Sequence, residues 1–554
     1  MSKSGQQILL HGDVDAIKEF VFETSSLPQI RGGSQLLLEC EDEVTKKIEK
    51  LGGKKIYCSG GSFLFELPED KVNDAREAIE DIYLKHTLTA TVTISHESDP
   101  LPPAPASHPH NGWSKRLWDA HQPTLQSGDF ARRVAFLSAQ VRRMKYQRSN
   151  SPFFEAIPFG KRCEACGKRV AVENVHRYEP EEQEQVEIVS LCVVCLQRHR
   201  TGVRSEAHTV RGRFNVRFYQ KYRQCNLTAR HPPDLDHLVK SARRNYVAFL
   251  YADGNDIGQL LQRVSSQEEF AALSQALREG TEQALFEALW EVCSEELQKV
   301  DRYWPFEIVN IGGDDVTLLI QAGYAWEVAI RFLERFEKEI KSRVTQNLGY
   351  WPQSWPQAVT ASCGIAVADV KHPVRYLEYL ANDLLRSAKR EAKMVQAHPQ
   401  SALTFLWLPT PIAAEKAEAL MSYYQRDINR LTARPYSLDR ARKSIALVKE
   451  ASRWPRSLRH RWGEMLDRGM WISLNMIYYD IARRSDQDRL QLTTFLSEVG
   501  ELATQQGYQT KAPSSLWQVY KKHSRVGWQT ALLDILELAE LRAMRADVQI
   551  EEQD

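Results

Sequence analysis

The residues best suited to chemistry lie in two short stretches of the second half of the chain. Ile308 to Ile320 reads as two apolar strands around Gly312-Gly313-Asp314-Asp315. The glycines permit positive φ and a close approach of another molecule to the backbone. Two adjacent carboxylates at a turn repel each other, and a divalent cation removes that penalty; Mg2+ or Mn2+ takes oxygen ligands. A solvated turn uses the same residue types, so the tetrad does not decide the matter alone. The second stretch adds to it: an apolar run from Val247 ends in Asp253 and passes through Gly254-Asn255-Asp256 to Gly258. A strand next to the hairpin would set Asp253 beside Asp314. Gly254 and Gly258 would let phosphates reach backbone amides at a helix start. Carboxylates on neighbouring strands can hold two metal ions roughly 4 Å apart, one activating an attacking hydroxyl and one stabilising a departing pyrophosphate. Lys389, expected on a helix after a further strand, is placed to meet a triphosphate; an ordinary exposed lysine is the plain alternative. Together these residues point to metal-dependent nucleotidyl transfer.

A second cluster is made of sulfur. Cys163-Glu-Ala-Cys166 and Cys192-Val-Val-Cys195 are two knuckles of equal spacing, which suits tetrahedral Zn2+ held by four thiolates. A closed four-sulfur site has no open position, so a structural zinc is expected. The other five of the nine cysteines (Cys40, Cys58, Cys225, Cys293 and Cys363) are scattered singly, which fits a reducing compartment. Downstream run Arg198, Arg200, Arg204, Arg211, Arg213, Arg217, Lys221, Arg223 and Arg230, interleaved with Phe214, Phe218, Tyr219 and Tyr222. Such a stretch can track a phosphate backbone or be a solvated edge.

The elements that must position these residues occur twice. Strands at 7–10, 55–58, 63–67 and 88–95, with helices at 14–22, 36–51 and 71–84, give one β-α-α-β-β-α-β order. Strands at 246–251, 307–310, 316–320 and 360–366, with helices at 267–300, 326–344 and 373–394, repeat the layout. This is a hypothesis of internal duplication. The proline-rich stretch 101–109 marks a boundary, and 113–150 reads as helical and basic. From about 410 onward only helical periodicity is visible, which predicts a bundle. The expected domains are 1–110 (first palm, degenerate), 111–244 (linker helices and zinc domain), 245–405 (second palm, with the tetrad) and 406–554 (helical). The predicted class is α+β multidomain, with two ferredoxin-like palms of the nucleotidyl cyclase and polymerase kind.

At 554 residues the chain exceeds one ordinary core. Its net charge of +1 creates no global attraction to nucleic acid, so any such binding must be local. The start lacks the basic and apolar regions of a signal peptide, and no run approaches twenty apolar residues. A cytoplasmic protein without membrane contact is expected.

The whole pattern resembles the Cas-ten family, the large palm-domain subunit of type III CRISPR effector complexes. His11 to Phe22 with Gln29-Ile-Arg-Gly-Gly-Ser34 resembles the first palm, and Pro158 to Lys168 the entry to the zinc domain. Ala252 to Gly258, the Gly-Gly-Asp-Asp tetrad, Ser362 to Ala366 and Ala388-Lys389 resemble the second palm. The resemblance implies antiviral defence in which ATP is joined into cyclic oligoadenylate second messengers. It makes Asp253 and Asp314 metal ligands, with Asp315 ligating or positioning. Gly312 and Gly313 would border the nucleotide, and Lys389 would meet the triphosphate. The first palm has Tyr57-Cys-Ser-Gly-Gly-Ser-Phe63 where the acidic tip would be, so it should bind a nucleotide or support the interface without catalysing. Ser34 and Ser62 would help hold that nucleotide.

The family reading also implies a guide RNA, a target RNA and further effector subunits, with Trp454, Trp462, Trp471 and Trp517 facing small helical partners or simply forming core. Many relatives begin with an HD nuclease domain; no His-Asp doublet occurs here, and no such DNase is expected. Asn255 stands where relatives often carry an acidic residue, which leaves open whether it or Asp256 serves the metal site. Competing readings are an enzyme joining AMP to S-adenosylmethionine with the same metal residues, an inactive RNA-binding scaffold, and a diguanylate cyclase. The last would carry Glu at the fourth tetrad position and would explain neither the zinc segment nor the other palm.

Overall fold

The computed structural model describes residues 6–99, 130–147, 159–176, 188–207, 210–394, 400–410, 416–426, 428–504, 516–522 and 525–549. The proline-rich stretch 101–109, and the part of 113–150 outside 130–147, lie outside the described residues.

The first repeat is built from β1 (Gln7–Val14), α1 (Ile17–Val21), α2 (Leu27–Lys50), β2 (Lys54–Ser59), β3 (Ser62–Pro68), α3 (Val72–Thr87), β4 (Val92–His96) and α4 (Phe130–Gln147). Its four strands are antiparallel in the order β2-β3-β1-β4. The cysteine region follows, with β5 (Glu173–His176), β6 (Ile188–Leu191), α5 (Val193–Val203), β7 (Ser205–Ala207), β8 (Val210–Arg211), α6 (Arg213–Tyr222) and α7 (Leu235–Val239). The second repeat has β9 (Tyr246–Gly254), α8 (Ile257–Leu261), α9 (Gln267–Leu297), β10 (Phe306–Ile311), β11 (Val316–Gln321), α10 (Ala322–Leu348), β12 (Ala361–Asp369), α11 (Val374–Met394) and β13 (Ala402–Trp407). Its order, β10-β11-β9-β12, reproduces that of the first sheet, and β13 and Tyr436–Ser437 extend it. In each repeat the first strand is central, which explains its unbroken apolar run: Val247 to Ala252 are all buried, as expected of a strand covered on both faces.

Each repeat places a β-bulge in the first strand of its hairpin, at Lys55/Tyr57 and at Ile308/Asn310. The buried apolar residues of both repeats and of the C-terminal region form one contiguous core. The cysteine region has a small core of its own around Leu191, Val194 and Leu196.

Two expectations are corrected. The helix read from Leu36 begins nine residues earlier, at Leu27. Gly32 and Gly33 look like helix breakers, but a Cβ on Gly32 would lie 1.8 Å from the carbonyl oxygen of Arg198 in α5. Tertiary packing therefore demands a glycine inside this helix, overriding its poor propensity. The C-terminal region is helical, as expected, through Leu438–Ala451, Arg456–Asp467, Met470–Ala482, Asp486–Ala503 and Leu532–Ala543. It also contains strands, contrary to the sequence reading: Gln425–Arg426, Asn429–Arg430, Gln518–Lys522 and Arg525–Gln529 form a small sheet. Two of these are two residues long, and Gln518–Lys522 and Arg525–Gln529 hold only two large apolar side chains each, too short a run to read as a strand.

Candidate active site

Asp253 is half-buried just past the buried run Val247–Ala252 of β9 and pairs in register with Ser362 of β12, while Val316, just after the tetrad, pairs with Ala252. The acidic tip thus lies beside the end of β9. A Cβ on Gly254 would come 2.7 Å from Asp314 Oδ2, so this glycine makes room for the Asp314 carboxylate. Asp315 folds back under the turn, where a Cβ on Gly312 would meet its Oδ1 at 2.1 Å. Gly313 has φ +82° and, like Gly258, faces open space. Gly254 and Gly312 therefore accommodate the site's own carboxylates, and Gly313 and Gly258 are the two open to a ligand.

Burial and the neighbouring carboxylates of Asp253 and Asp315 push the Asp314 carboxyl up to about 8. Burial and Asp253 push Asp315 up to about 7, against the opposing pull of Lys18. These are carboxylates in search of positive charge. Among the described residues, the one group of three or more His, Cys, Asp or Glu side chains whose ligand atoms gather within 4.8 Å is the cysteine tetrad; the three aspartates are not so gathered. Lys389 supplies part of the missing charge. Its Nζ donates to Asp253 Oδ2 at 2.5 Å and to the Gly254 carbonyl at 2.8 Å. The acidic oxygens, the lysine and the open glycines form a cleft edge whose chemistry suits a divalent cation carrying phosphate.

The neighbours of Asp253 have separate tasks. Asn255 Nδ2 donates to Thr360 Oγ1 at 3.0 Å, and its Oδ1 accepts from Ser362 Oγ at 2.8 Å. Asn255 is thus a strut between β9 and β12. Asp256 takes a left-handed conformation, φ 52°, at the start of α8 and pairs with Lys393 at 2.8 Å.

The first repeat carries the same construction, which the sequence reading missed. Lys145 Nζ donates to Asp13 Oδ2 at 2.6 Å and to the Val14 carbonyl at 2.9 Å, as Lys389 does to Asp253 and Gly254. Asp15 accepts from Thr91 and Thr93 at 2.8 Å each, as Asn255 engages Thr360 and Ser362. Ala16, φ 52°, is left-handed like Asp256. The signal was available in part, since His11-Gly-Asp-Val-Asp-Ala-Ile17 aligns with Tyr251-Ala-Asp-Gly-Asn-Asp-Ile257. Lys145 was not legible, because its distance along the chain differs from that of Lys389. The first hairpin turns on Gly60 and Gly61 alone, both at positive φ, so the acidic pair is deleted rather than replaced. The two tips meet: a Cβ on Gly60 would lie 2.7 Å from the Gly312 carbonyl oxygen. Ser34 and Ser62 are set apart in their surroundings. Ser34 is buried in α2 and lines a cavity shared with Asp315, whereas the Ser62 hydroxyl is 2.7 Å from Tyr57 Oη.

Cys163, Cys166, Cys192 and Cys195 converge, as the knuckle spacing predicts. Four thiols with little exposure and no other ligand class match a structural zinc. Much of the basic stretch behind them is paired with carboxylates of this chain. Arg198 is buried against Glu23, Arg200 pairs with Glu173, Arg204 with Glu39, Arg213 with Asp42 and Arg217 with Glu282. Phe214 and Phe218 are core. These cations serve acidic partners distant in sequence, which spacing alone does not reveal.

Fold and site together define a palm-domain protein with one acidic-tipped palm and one without the acidic pair. Residues 246–395 match the family model described as Cas10/Cmr2, second palm domain. Over these residues the chain is similar to that family's second palm. No curated protein matches the chain. Among solved structures it is similar to the apo Csm1-Csm4 cassette (13% identity, TM-score 0.42, covering 72% of this chain and 54% of that one). It is similar also to the cassette in complex with cA4 (13%, TM-score 0.40, 72% and 54%) and in complex with one ATP (14%, TM-score 0.39, 72% and 55%). The chain spans about half the length of the chains it matches there. Among the described residues, no helix is long and apolar enough to cross a membrane.

Proposed function

We propose that this chain is a metal-dependent nucleotidyltransferase that joins ATP into cyclic oligoadenylates, working with a guide RNA, a target RNA and further subunits in a type III CRISPR effector complex. The observation that carries this reading is the tip of the second palm. There Asp314 lies over Gly254 beside Asp253, and Lys389 is held on Asp253 within a Cas10/Cmr2 palm. Bound Mg2+ or Mn2+ on Asp253, Asp314 and Asp315 would neutralise phosphate charge. The residues themselves orient the triphosphate: Gly313 and Gly258 leave backbone accessible, and Lys389 can exchange its carboxylate for a phosphate. Attack of a 3′-oxygen on the α-phosphate forms the new P–O bond and breaks the bond to the β-phosphate, releasing pyrophosphate; positioning and charge do most of the work.

As partner contacts we assign the exposed face of Met470–Ala482. Trp454, Trp462 and Trp517 are core, but Trp471 is 73% exposed beside Ile472 and Tyr479. Exposed large apolar side chains gathered on one helix suit an interaction surface.

The test is incubation of α-labelled ATP with Mn2+, alone and with S-adenosylmethionine, with RNA and partner subunits supplied, followed by mass spectrometry. The expected products are 3′–5′ linked cyclic oligoadenylates, lost in Asp314→Ala plus Asp315→Ala by at least about a hundredfold. An adenylated S-adenosylmethionine as sole product would move the acceptor assignment. Product surviving the double substitution would remove the site.

A further inference from the structure

The first palm has lost its acidic pair, yet it turns one charged side chain toward the site of the second. Lys18 belongs to α1. Its ammonium lies 3.7 Å from the centroid of the Tyr251 ring and 3.7 Å from Glu378 Oε1. Both partners are in the second palm. Tyr251 stands two places before Asp253 on β9, hence on the same face of the strand, and Glu378 is on α11, the helix of Lys389. The end of α1 is fixed there by Phe22, packed edge-on against Phe249 at 5.2 Å between centroids. Ser25 Oγ accepts the backbone N–H of Val374, the first residue of α11, at 3.3 Å.

Lys18 lines a cavity of about 130 Å3 between the palms with Ser34, Gly60, Asn310, Asp315 and Thr317. Burial lowers the pKa of its ammonium, and Glu378, Asp315, Asp253 and Glu19 act in the opposite sense. Three of those four carboxylates belong to the second palm.

The duplication shows how one-sided this is. Lys18 and Gly258 occupy the same place after Asp13 and Asp253. Gly258 has only open space around it and no side chain to extend. A cation is therefore offered in one direction, toward the palm that kept its acidic tip. The lysines on α11 start from tighter ion pairs, Lys389 with Asp253 at 2.5 Å and Lys393 with Asp256 at 2.8 Å. Lys18 lies farther from Tyr251 and Glu378, at 3.7 Å from each, so it has room to move onto a phosphate.

We propose that Lys18 is a cation supplied by the first palm to nucleotidyl transfer in the second, placed to offset the negative charge that grows on the α-phosphate during attack. This rests on the function proposed above. In the step itself the 3′-oxygen bonds to phosphorus and the bond to the β-phosphate breaks. Pyrophosphate leaves with the electron pair, and the hydroxyl proton passes to a site carboxylate or water. Lys18 exchanges no proton. A fixed cation aimed at developing charge in a water-poor cleft lowers the barrier more than it tightens ground-state binding. The inference also accounts for why a palm without its acidic pair stays docked tip to tip on the other.

The test compares wild type, Lys18→Met and Lys18→Arg in the full chain with the same RNA and partners. The readouts are kcat and KM for ATP, binding of a non-hydrolysable ATP analogue by calorimetry, and Tm. In Lys18→Met, kcat should fall roughly 10- to 100-fold, with KM and analogue affinity within about threefold and Tm unchanged. Lys18→Arg should recover most of the rate. Full turnover in Lys18→Met would overturn the inference, as would equal losses in both variants accompanied by a lower Tm, which would mark a packing role. A wild type that forms no phosphodiester product defeats the functional reading itself; an active wild type with an equally active Lys18→Met defeats only the role of Lys18.

Discussion

Asp314 and Asp315 are held where their own charge is unwelcome, and that has a consequence for stability. Both carboxyls titrate above the ordinary carboxylate range, at about 8 and about 7. As pH rises, the unfolded chain releases these protons first, near the usual value of about 4, while the folded metal-free chain retains them. Between those limits folding takes up protons, so the stability of the metal-free protein falls as pH rises from about 5 to 8. Asp314→Asn plus Asp315→Asn should flatten that fall. At pH 8 the pair should raise Tm, by roughly 1 °C for each kcal/mol gained in a chain of this size. Mn2+ should raise Tm in wild type and not in the variant. Scanning fluorimetry from pH 5 to 8 checks this, and parallel curves for the two proteins would refute it. At this scale the sequence was informative about identity and silent about posture. Asp253, Asp314 and Lys389 do come together, but the division between Asn255, tied to Thr360 and Ser362, and Asp256, tied to Lys393, depends on partners more than a hundred residues away.

Between elements, one buried ion pair binds the two palms. Arg31 of α2 donates twice to Glu307 of β10, at 2.7 Å each, and also to the carbonyls of Gly202 at 3.2 Å and Pro232 at 3.1 Å. Asn215 Nδ2 adds a bond to Glu307 Oε1 at 2.9 Å, and its Oδ1 accepts the N–H of Ile308 at 3.0 Å. The strand so held runs directly into the acidic tip. Both ionic side chains are almost fully buried, so removing one strands the other. Arg31→Met should cost about 3–5 kcal/mol. Arg31→Met combined with Glu307→Leu should recover most of it, because an apolar pair of similar volume needs no counter-charge. Urea unfolding of the three variants measures the coupling, and additive losses would show that the pair is not the unit it looks to be. None of this was visible beforehand, since Arg31 stood out only within Gln29-Ile-Arg-Gly-Gly-Ser34, the stretch that resembles the first palm.

Across the whole molecule, the cysteine tetrad is mounted on the first palm rather than set beside it. Cys192 precedes α5, and α5 lies so close to α2 that a Cβ on Gly202 would fall 1.7 Å from the Pro28 carbonyl oxygen. Glu23 adds ion pairs to Lys168, Arg169 and Arg198 at 3.0–3.1 Å. Removing zinc should therefore loosen α5 and the start of α2 while the second sheet keeps its protection. Metal analysis should find about one zinc per chain, as a closed four-thiolate site requires. After chelation or Cys163→Ser, hydrogen exchange should rise over residues 188–203 and 27–35 but not over β9 and β12. Uniform loosening, or no zinc in the purified protein, would contradict this.

What the sequence determined by itself was whatever is encoded in local order. The two-palm layout follows from alternating apolar runs, the acidic tip from four consecutive residues, and the cluster of four cysteines from two equal spacings. The tertiary structure decided which long-range partners meet. It matched Lys145 to Asp13 as Lys389 is matched to Asp253, spent the arginines after the cysteines on distant acids, and carried Lys18 across to the other palm. It also placed a small sheet within the C-terminal helices. The physical reason is the same throughout. Periodicity and spacing report what neighbouring residues do to one another, whereas the charge around a site is set by whichever side chains the packed elements deliver to it.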